Sequence, residues 1–320
     1  MGKSEACPYC PAAAAQQVEL RTFKHRWTRC TACGTMRREN RAVYPGEAMQ
    51  AWLSGTAFGK RLADSIFKPF MRRRERERTD YSTYGNEYDW VFSTQPESDP
   101  FRAMKRARYL GEAKEIVDLF ARNGVDLSTK SILDLSGGPG SFAQLIRDKV
   151  ARISVTEYDQ GSVTGMQSRV PGVRMFQADL NEDWEDAEEF DAVLYRSCVY
   201  FCMDLERHIS QIKARVRSGG HIFVNTNMPT MGNMLRWQYE DYTLKVLYPP
   251  ALLRNILERQ GFRIVESGVT PYYTHYLQWF SWRTAVYHLW GIWNVLRPGA
   301  PPGLDARASW VLAVKAAPNA

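Results

Sequence analysis

Four of the six cysteines stand in two close pairs, 7-CPYC-10 and 30-CTACG-34, with nineteen residues between them. Two thiolates three positions apart on a tight turn can share one tetrahedral divalent ion, and a second pair completes its shell. Cys7, Cys10, Cys30 and Cys33 therefore make a candidate Zn²⁺ site. Four thiolates leave no open position for a reacting water, so the metal is expected to be structural. Gly34 follows the second pair and suits the positive φ that such a turn needs. Disulfides or free thiols are the other readings, and an intracellular chain disfavours disulfides. His25, between the pairs, is an alternative ligand or a surface residue, and Cys198 and Cys202, beside apolar neighbours, read as core.

A second group of residues surrounds a glycine corner, 131-SILDLSGGPGSFAQLI-146. An apolar run ends near Asp134, Ser136, Gly137, Gly138 and Gly140 follow, and then the pattern turns helical. Glycines there let a ligand approach the backbone closely. Two later apolar runs also end on acids, at Glu157-Tyr158 and at Asp179-Leu180.

Two ligands compete for this corner. Gly138, Gly140 and Ala143 fit the G-x-G-x-x-[GA] dinucleotide spacing, and Glu157 lies at the distance of a ribose-binding acid. A carboxylate at Asp134 would repel a pyrophosphate, however, and Pro139 removes one N–H that an anion would use. S-adenosylmethionine (SAM) makes the opposite demand, because it is cationic and carries no phosphate. On that reading Asp134 faces the positive end, Glu157 takes the ribose hydroxyls and Asp179 accepts from the adenine amino group. The bland reading is that Asp134 and Asp179 merely cap turns.

These residues must be placed by strands and helices that alternate from residue 131 onward. Apolar runs occur at 131–136, 152–157, 173–178, 190–196 and 221–226, with helical patterns between most of them, such as 204–220 with a Gly-Gly stop. That alternation implies a parallel sheet with helices on both faces. A helix over 250–262, a strand over 262–269 and a final strand over 308–316 close the chain. Upstream, 101–124 has helical spacing and stops at Asn123-Gly124. The expected layout is a ribbon over 1–40, a helical and linker region over 41–124 packing over the active site, and a ligand-binding domain over 125–320 with an aromatic insertion at 271–305.

The 320 residues carry a formal net charge of +7, and the excess lies in residues 1–110, with 20 Lys/Arg against 12 Asp/Glu. The run 71-MRRRERER-78 is either a nucleic-acid or anionic-surface patch or, more plainly, a solvated helix laced with ion pairs. Nothing after Met1 reads as a signal peptide, and no run is apolar enough to span a membrane, because Gln278, Arg283 and His288 interrupt the best one. A cytoplasmic location is expected. The insertion, rich in Trp and Tyr, reads as a buried helical cap, a substrate lid, or a membrane-surface or dimer contact, which leaves a homodimer open.

Taken together, 133-LDLSGGPGSFA-143, 157-EYD-159, 177-QADL-180, 190-FDAVLYRSCVYFCMD-204 and 214-ARVRSGGHIFV-224 resemble the class I SAM-dependent methyltransferases. The resemblance covers about 100–270 and the strand near 308–316. It implies a Rossmann-like α/β sheet, mostly parallel with an antiparallel last strand, carrying an N-terminal zinc ribbon and a helical cap. It also implies SAM as cofactor, held by Asp134, Ser136, Gly137, Gly138, Gly140, Glu157, Tyr158, Asp179, Leu180 and Tyr195. Ser136 departs from the family pattern, which usually has glycine there. The joined ribbon resembles a bacterial subgroup that methylates sugars and other small biosynthetic intermediates. That subgroup's His has no counterpart here, since Thr243 falls at its place in 242-YTLKVLYPPALL-253.

Methyl transfer is an in-line displacement on the sulfonium methyl, so the protein's task is orientation, plus proton removal when a hydroxyl attacks. His275 heads the base candidates, with Tyr195 and Arg196 at the end of the fourth strand. Tyr200, Asn225 and Asn227 lie at the same ends. The expected acceptor is a small molecule, most simply a hydroxyl oxygen of a sugar or natural-product intermediate. An RNA acceptor and a non-catalytic SAM-binding scaffold are the alternatives.

Overall fold

The computed structural model describes residues 7, 9–10, 17–21, 26–38, 100–138, 140–158, 160–167, 170–184, 188–229, 246–270 and 308–316. Residues 41–99 of the expected helical and linker region, with the basic run 71–78, and Thr243, His275 and the aromatic insertion lie outside the described residues. The chain gathers into two compact units. One comprises Met1–Arg78, Thr226–Leu253 and Gly268–Trp310, and the other Thr79–Asn225, Arg254–Ser267 and Val311–Ala320.

In the first unit, β1 (Gln17–Arg21) and β2 (Arg26–Cys30) form an antiparallel hairpin, and β3 (Met36–Arg38) pairs with β2. Trp27 and Met36 are fully buried within this small sheet.

In the second unit, α1 (Pro100–Arg122) buries Ala113, Ile116, Leu119 and Phe120, a stripe at helical spacing. Gly124 ends it at φ 78°, donating its N–H to the Ala121 carbonyl, as a left-handed C-terminal residue does. Then come β4 (Ser131–Leu135), α2 (Ser141–Ile146), β5 (Arg152–Glu157), α3 (Gln160–Gln167), β6 (Arg174–Gln177), β7 (Phe190–Arg196), α4 (Leu205–Arg215) and β8 (Val216–Asn227). The short β9 (Val246–Leu247) belongs to the first unit, and α5 (Pro250–Arg259), β10 (Phe262–Thr270) and β11 (Ala308–Lys315) follow along the chain.

The large sheet has the order β10-β11-β8-β7-β4-β5-β6. The pairs β4/β5, β5/β6, β4/β7 and β7/β8 are parallel. The chain steps outward from β4 through β5 to β6, then returns to lay β7 on the other side of β4. That reversal between β4 and β7 is a topological switch point, where open α/β sheets bind ligands. Every residue of β4 is buried, as a central parallel strand requires.

One element differs from expectation. The helix read over 204–220 stops at Arg215, and Gly219-Gly220 belong to β8. The register jumps there, from Phe190 opposite Val216 to Ala192 opposite His221, so the glycines serve a bulge rather than a helix stop. Gly219 has φ 73°, and a Cβ on Gly220 would sit 2.9 Å from two backbone oxygens, those of Arg217 and Asp191.

Candidate functional site

The corner after β4 is held by β5. The Ser136 N–H donates to Thr156 Oγ1 (3.0 Å), Gly137 N–H to the Thr156 carbonyl (3.0 Å) and Gly138 N–H to Glu157 Oε2 (3.0 Å). The Gly140 N–H turns back to the Gly137 carbonyl at 3.2 Å. Position 139 is proline and has no N–H to offer. The corner's backbone donors are therefore engaged within the protein. Pyrophosphate cradles work by presenting such donors to the anion, so this corner is poorly made for one.

Glycine is dictated at Gly137 by contact, since a Cβ would lie 2.6 Å from Val155 Cγ1 and 2.7 Å from Asp134 Oδ2. Ser136 takes φ 49° although it has a side chain. Ser136 thus keeps the left-handed backbone of a glycine, with its N–H held by the Thr156 hydroxyl.

The three carboxylates do not stand bare. Asp134 is fully buried and receives Arg196 in bidentate fashion, Nε to Oδ1 and Nη2 to Oδ2, both 3.1 Å. Arg196 Nη1 donates to Glu112 Oε1 at 3.2 Å, and the guanidinium lies 3.6 Å from the centre of the Phe142 ring. Burial raises the Asp134 carboxyl above its usual range, and Arg196 opposes that rise. Glu157 Oε1 accepts from the Tyr158 N–H at 2.9 Å while Oε2 holds Gly138. Asp179 Oδ1 accepts from the Asn181 backbone (2.8 Å) and side chain (3.2 Å), a local turn cap. The bland reading of Asp179 is thus what its side chain does in this structure.

The other sequence-derived residues divide by location. Tyr158 is exposed beside Glu157, and Leu180 is buried next to Asp179. Tyr195 is fully buried in the core instead. It is 0% accessible, and its ring meets that of His208 at 5.0 Å between centroids. Strand alternation explains this: Arg196 points toward Asp134, so Tyr195 points to the opposite face. Tyr195 is therefore core, not a group at the corner. Cys198 and Cys202 are buried, as expected.

Glu112, Phe142 and Thr156 were not among the residues picked from the sequence. Glu112 carried a signal, being an acid beside Ala113 and one turn before Ile116 on the buried stripe of α1.

The four cysteines converge. Their Sγ atoms all lie within 4.8 Å of one another, with Cys7–Cys33 at 3.6 Å and Cys10–Cys30 at 3.8 Å. These are far beyond a disulfide bond. A tetrahedral Zn²⁺ with Zn–S of about 2.3 Å has sulfur–sulfur edges of about 3.8 Å, which these separations match. The second knuckle is bound by Gly34 N–H to the Cys30 carbonyl (2.8 Å) and Cys30 N–H to the Thr35 carbonyl (2.9 Å). Burial, first, and neighbouring thiols push Cys7 up to about 11 against the Tyr9 N–H, whereas at Cys30 the backbone N–H groups of Cys33 and Ala32 outweigh burial and lower the thiol.

Residues 104–267 match the profile of the methyltransferase domain family. This chain belongs to the class I SAM-dependent methyltransferases. The fold of the methyltransferase is similar to that of magnesium protoporphyrin IX methyltransferase from Synechocystis PCC 6803, solved with bound S-adenosylhomocysteine (SAH). The TM-score is 0.51 at 13% identity, over 74% of this chain and 96% of that one. A putative sarcosine dimethylglycine methyltransferase from Galdieria sulphuraria is similar at a TM-score of 0.52 and 12% identity, over 74% of this chain and 99% of the other. A search of the curated proteins gives no match. The methyltransferase sheet thus has the architecture expected from the sequence. Among the described residues no helix is long and apolar enough to cross a membrane.

Proposed function

We propose that this methyltransferase transfers the methyl group of SAM to a hydroxyl oxygen of a small molecule, of the sugar or natural-product class. One observation carries the cofactor half of the reading: the corner at 136–140 has spent its backbone donors on Thr156, Glu157 and Gly137. A phosphate-free nucleoside suits such a corner. Glu157, only partly buried at the end of β5, is a carboxylate of the type that accepts from ribose hydroxyls. Asp134 contributes by fixing Arg196 and the strand ends rather than by offering a bare charge. The acceptor half is supported by the ribbon's resemblance to small-molecule methyltransferases. His275 is the proposed base for an oxygen acceptor, and the metal in the four-cysteine site is proposed to be a structural Zn²⁺.

Calorimetric titration with SAH and with NAD tests the cofactor, and binding of NAD alone would overturn the reading. Methyl-labelled SAM incubated with fractionated extract tests the acceptor. Label in the small-molecule fraction is expected, label in RNA would replace that acceptor class, and binding without any label transfer would make the chain a scaffold. His275→Ala is expected to lower kcat while leaving SAH affinity unchanged.

A further inference from the structure

The ribbon takes its fourth strand from far along the chain. β3 pairs antiparallel with β9, Met36 opposite Leu247 and Arg37 opposite Val246. Both knuckles then close on the next two residues. Tyr9 lies inside the first knuckle, between Cys7 and Cys10, and its hydroxyl is 3.1 Å from that of Tyr248, 239 positions away. The two rings meet edge-on with centroids 5.8 Å apart and planes at 74°. Gly34 lies at the end of the second knuckle with φ 75°, where an added Cβ would come 3.2 Å from Pro249 Cγ. Val246, Leu247 and Tyr248 are buried to 2%, 0% and 0% exposure.

A two-residue strand has little stability of its own, and among the described residues of β2 and β3 the buried apolar side chains are Trp27, Cys30 and Met36. Tyr9 and Gly34 stand on the turns of the two Cys pairs, and a metal shared by the four thiolates would tie those turns together. Residues 246–249 also run directly into α5, on the stretch of chain that follows the carboxyl end of β8.

We propose that metal held by Cys7, Cys10, Cys30 and Cys33 clamps residues 246–249 as the ribbon's fourth strand, so that the ribbon's binding partner is this chain itself. The inference rests on the four-cysteine metal reading above. It makes metal affinity and the order of Val246–Pro249 two sides of one equilibrium, which must be reciprocal. It also gives the ribbon work that requires no nucleic acid.

Hydrogen exchange on the full chain, metal-loaded and chelator-treated, reads the first side. Peptides covering 246–249 should lose at least about ten-fold in protection on metal removal, while β5 (Arg152–Glu157), in the other unit, stays protected. Tyr248→Phe reads the other side, because all four ligands remain. It should weaken Zn²⁺ binding about five-fold in competition with a chromophoric chelator, the scale of one lost hydrogen bond. Tyr9→Phe should do the same, and the double variant should lose no more than either single.

The outcomes separate the two readings. One Zn²⁺ per chain, with exchange at 246–249 unchanged on stripping, overturns the clamp and leaves the metal site standing. No metal bound at all overturns both. If chelation also deprotects β5, the Tyr248→Phe affinity decides, and an unchanged affinity overturns the clamp.

Discussion

Arg196 closes on Asp134 with two parallel hydrogen bonds of 3.1 Å, and its remaining terminal nitrogen reaches Glu112 at 3.2 Å. The pair joins the ends of β4 and β7 across the switch point, and the third contact brings α1 into the same network. Arg196 is at the limit of burial and Asp134 is wholly buried, so the pair cannot be treated as a surface ion pair. Breaking such a pair by removing one partner costs about 3–5 kcal/mol, because the other charge is left unpaired. Arg196→Met is expected near that range. Asp134→Asn is expected to cost less, since Glu112 remains to pair with Arg196. The double Asp134→Asn/Arg196→Met variant should recover much of the loss. Urea unfolding of the four proteins gives the cycle, and additive single effects would show that the network does not act as a unit.

Gly137 and Gly124 make a controlled contrast. A methyl group on Gly137 meets Val155 and the Asp134 carboxylate below 3 Å, whereas one on Gly124 meets nothing within 4 Å. Gly124→Ala should cost only the left-handed strain of about 1 kcal/mol. Gly137→Ala should cost about 1–3 kcal/mol from overpacking and should also weaken SAH binding measurably. Equal melting temperatures for the two variants would contradict the crowding argument.

His208 sits between Trp184 and Tyr195, with ring centroids 5.2 and 5.0 Å away. Burial lowers its pKa to about 4, with Asp179 and the nearby Arg207 and Arg215 acting in opposite senses. In the unfolded chain it titrates near 6.5. Between these values the unfolded state binds more proton, so stability falls as pH falls from about 6.5 to about 4, by about 3 kcal/mol in total. His208→Phe should flatten that limb of the stability profile measured by denaturant titration. A variant with the same acid limb as the wild type would assign the effect elsewhere.

Ser197 holds φ 51° at the end of β7, and its N–H donates to Asn225 Oδ1 on β8. The side-chain acceptor keeps a strained residue in place just after Arg196. Asn225→Ala should cost about 1 kcal/mol, the scale of one hydrogen bond lost at a part-buried donor. Ser197→Gly in that background should restore part of it, because glycine adopts positive φ freely. Thermal unfolding of the single and double variants checks this, and lack of rescue would locate the role of Asn225 elsewhere.

How far the sequence reached depended on whether a feature was local. The glycine corner, the cysteine spacing and the alternation of apolar runs are set by neighbours within a few residues, and they sufficed for the sheet, the family and the four converging thiols. The Gly219-Gly220 pair misled, because a helix stop and a strand bulge use the same backbone freedom. Tyr195 misled for a related reason: position at a strand end is readable, but the face a side chain takes depends on register with β4 and β8.

The sequence by itself determined the ligand chemistry on offer, through residue types at fixed spacings. The tertiary structure alone decided the partners. It spent Asp134 on Arg196 and Glu112, turned Asp179 into a loop cap, and drew Val246–Pro249 onto the cysteine ribbon. The physical reason is that a buried charge or unpaired strand must find compensation somewhere. Which group supplies it is settled by contacts between residues up to 239 positions apart, which spacing along the chain does not record.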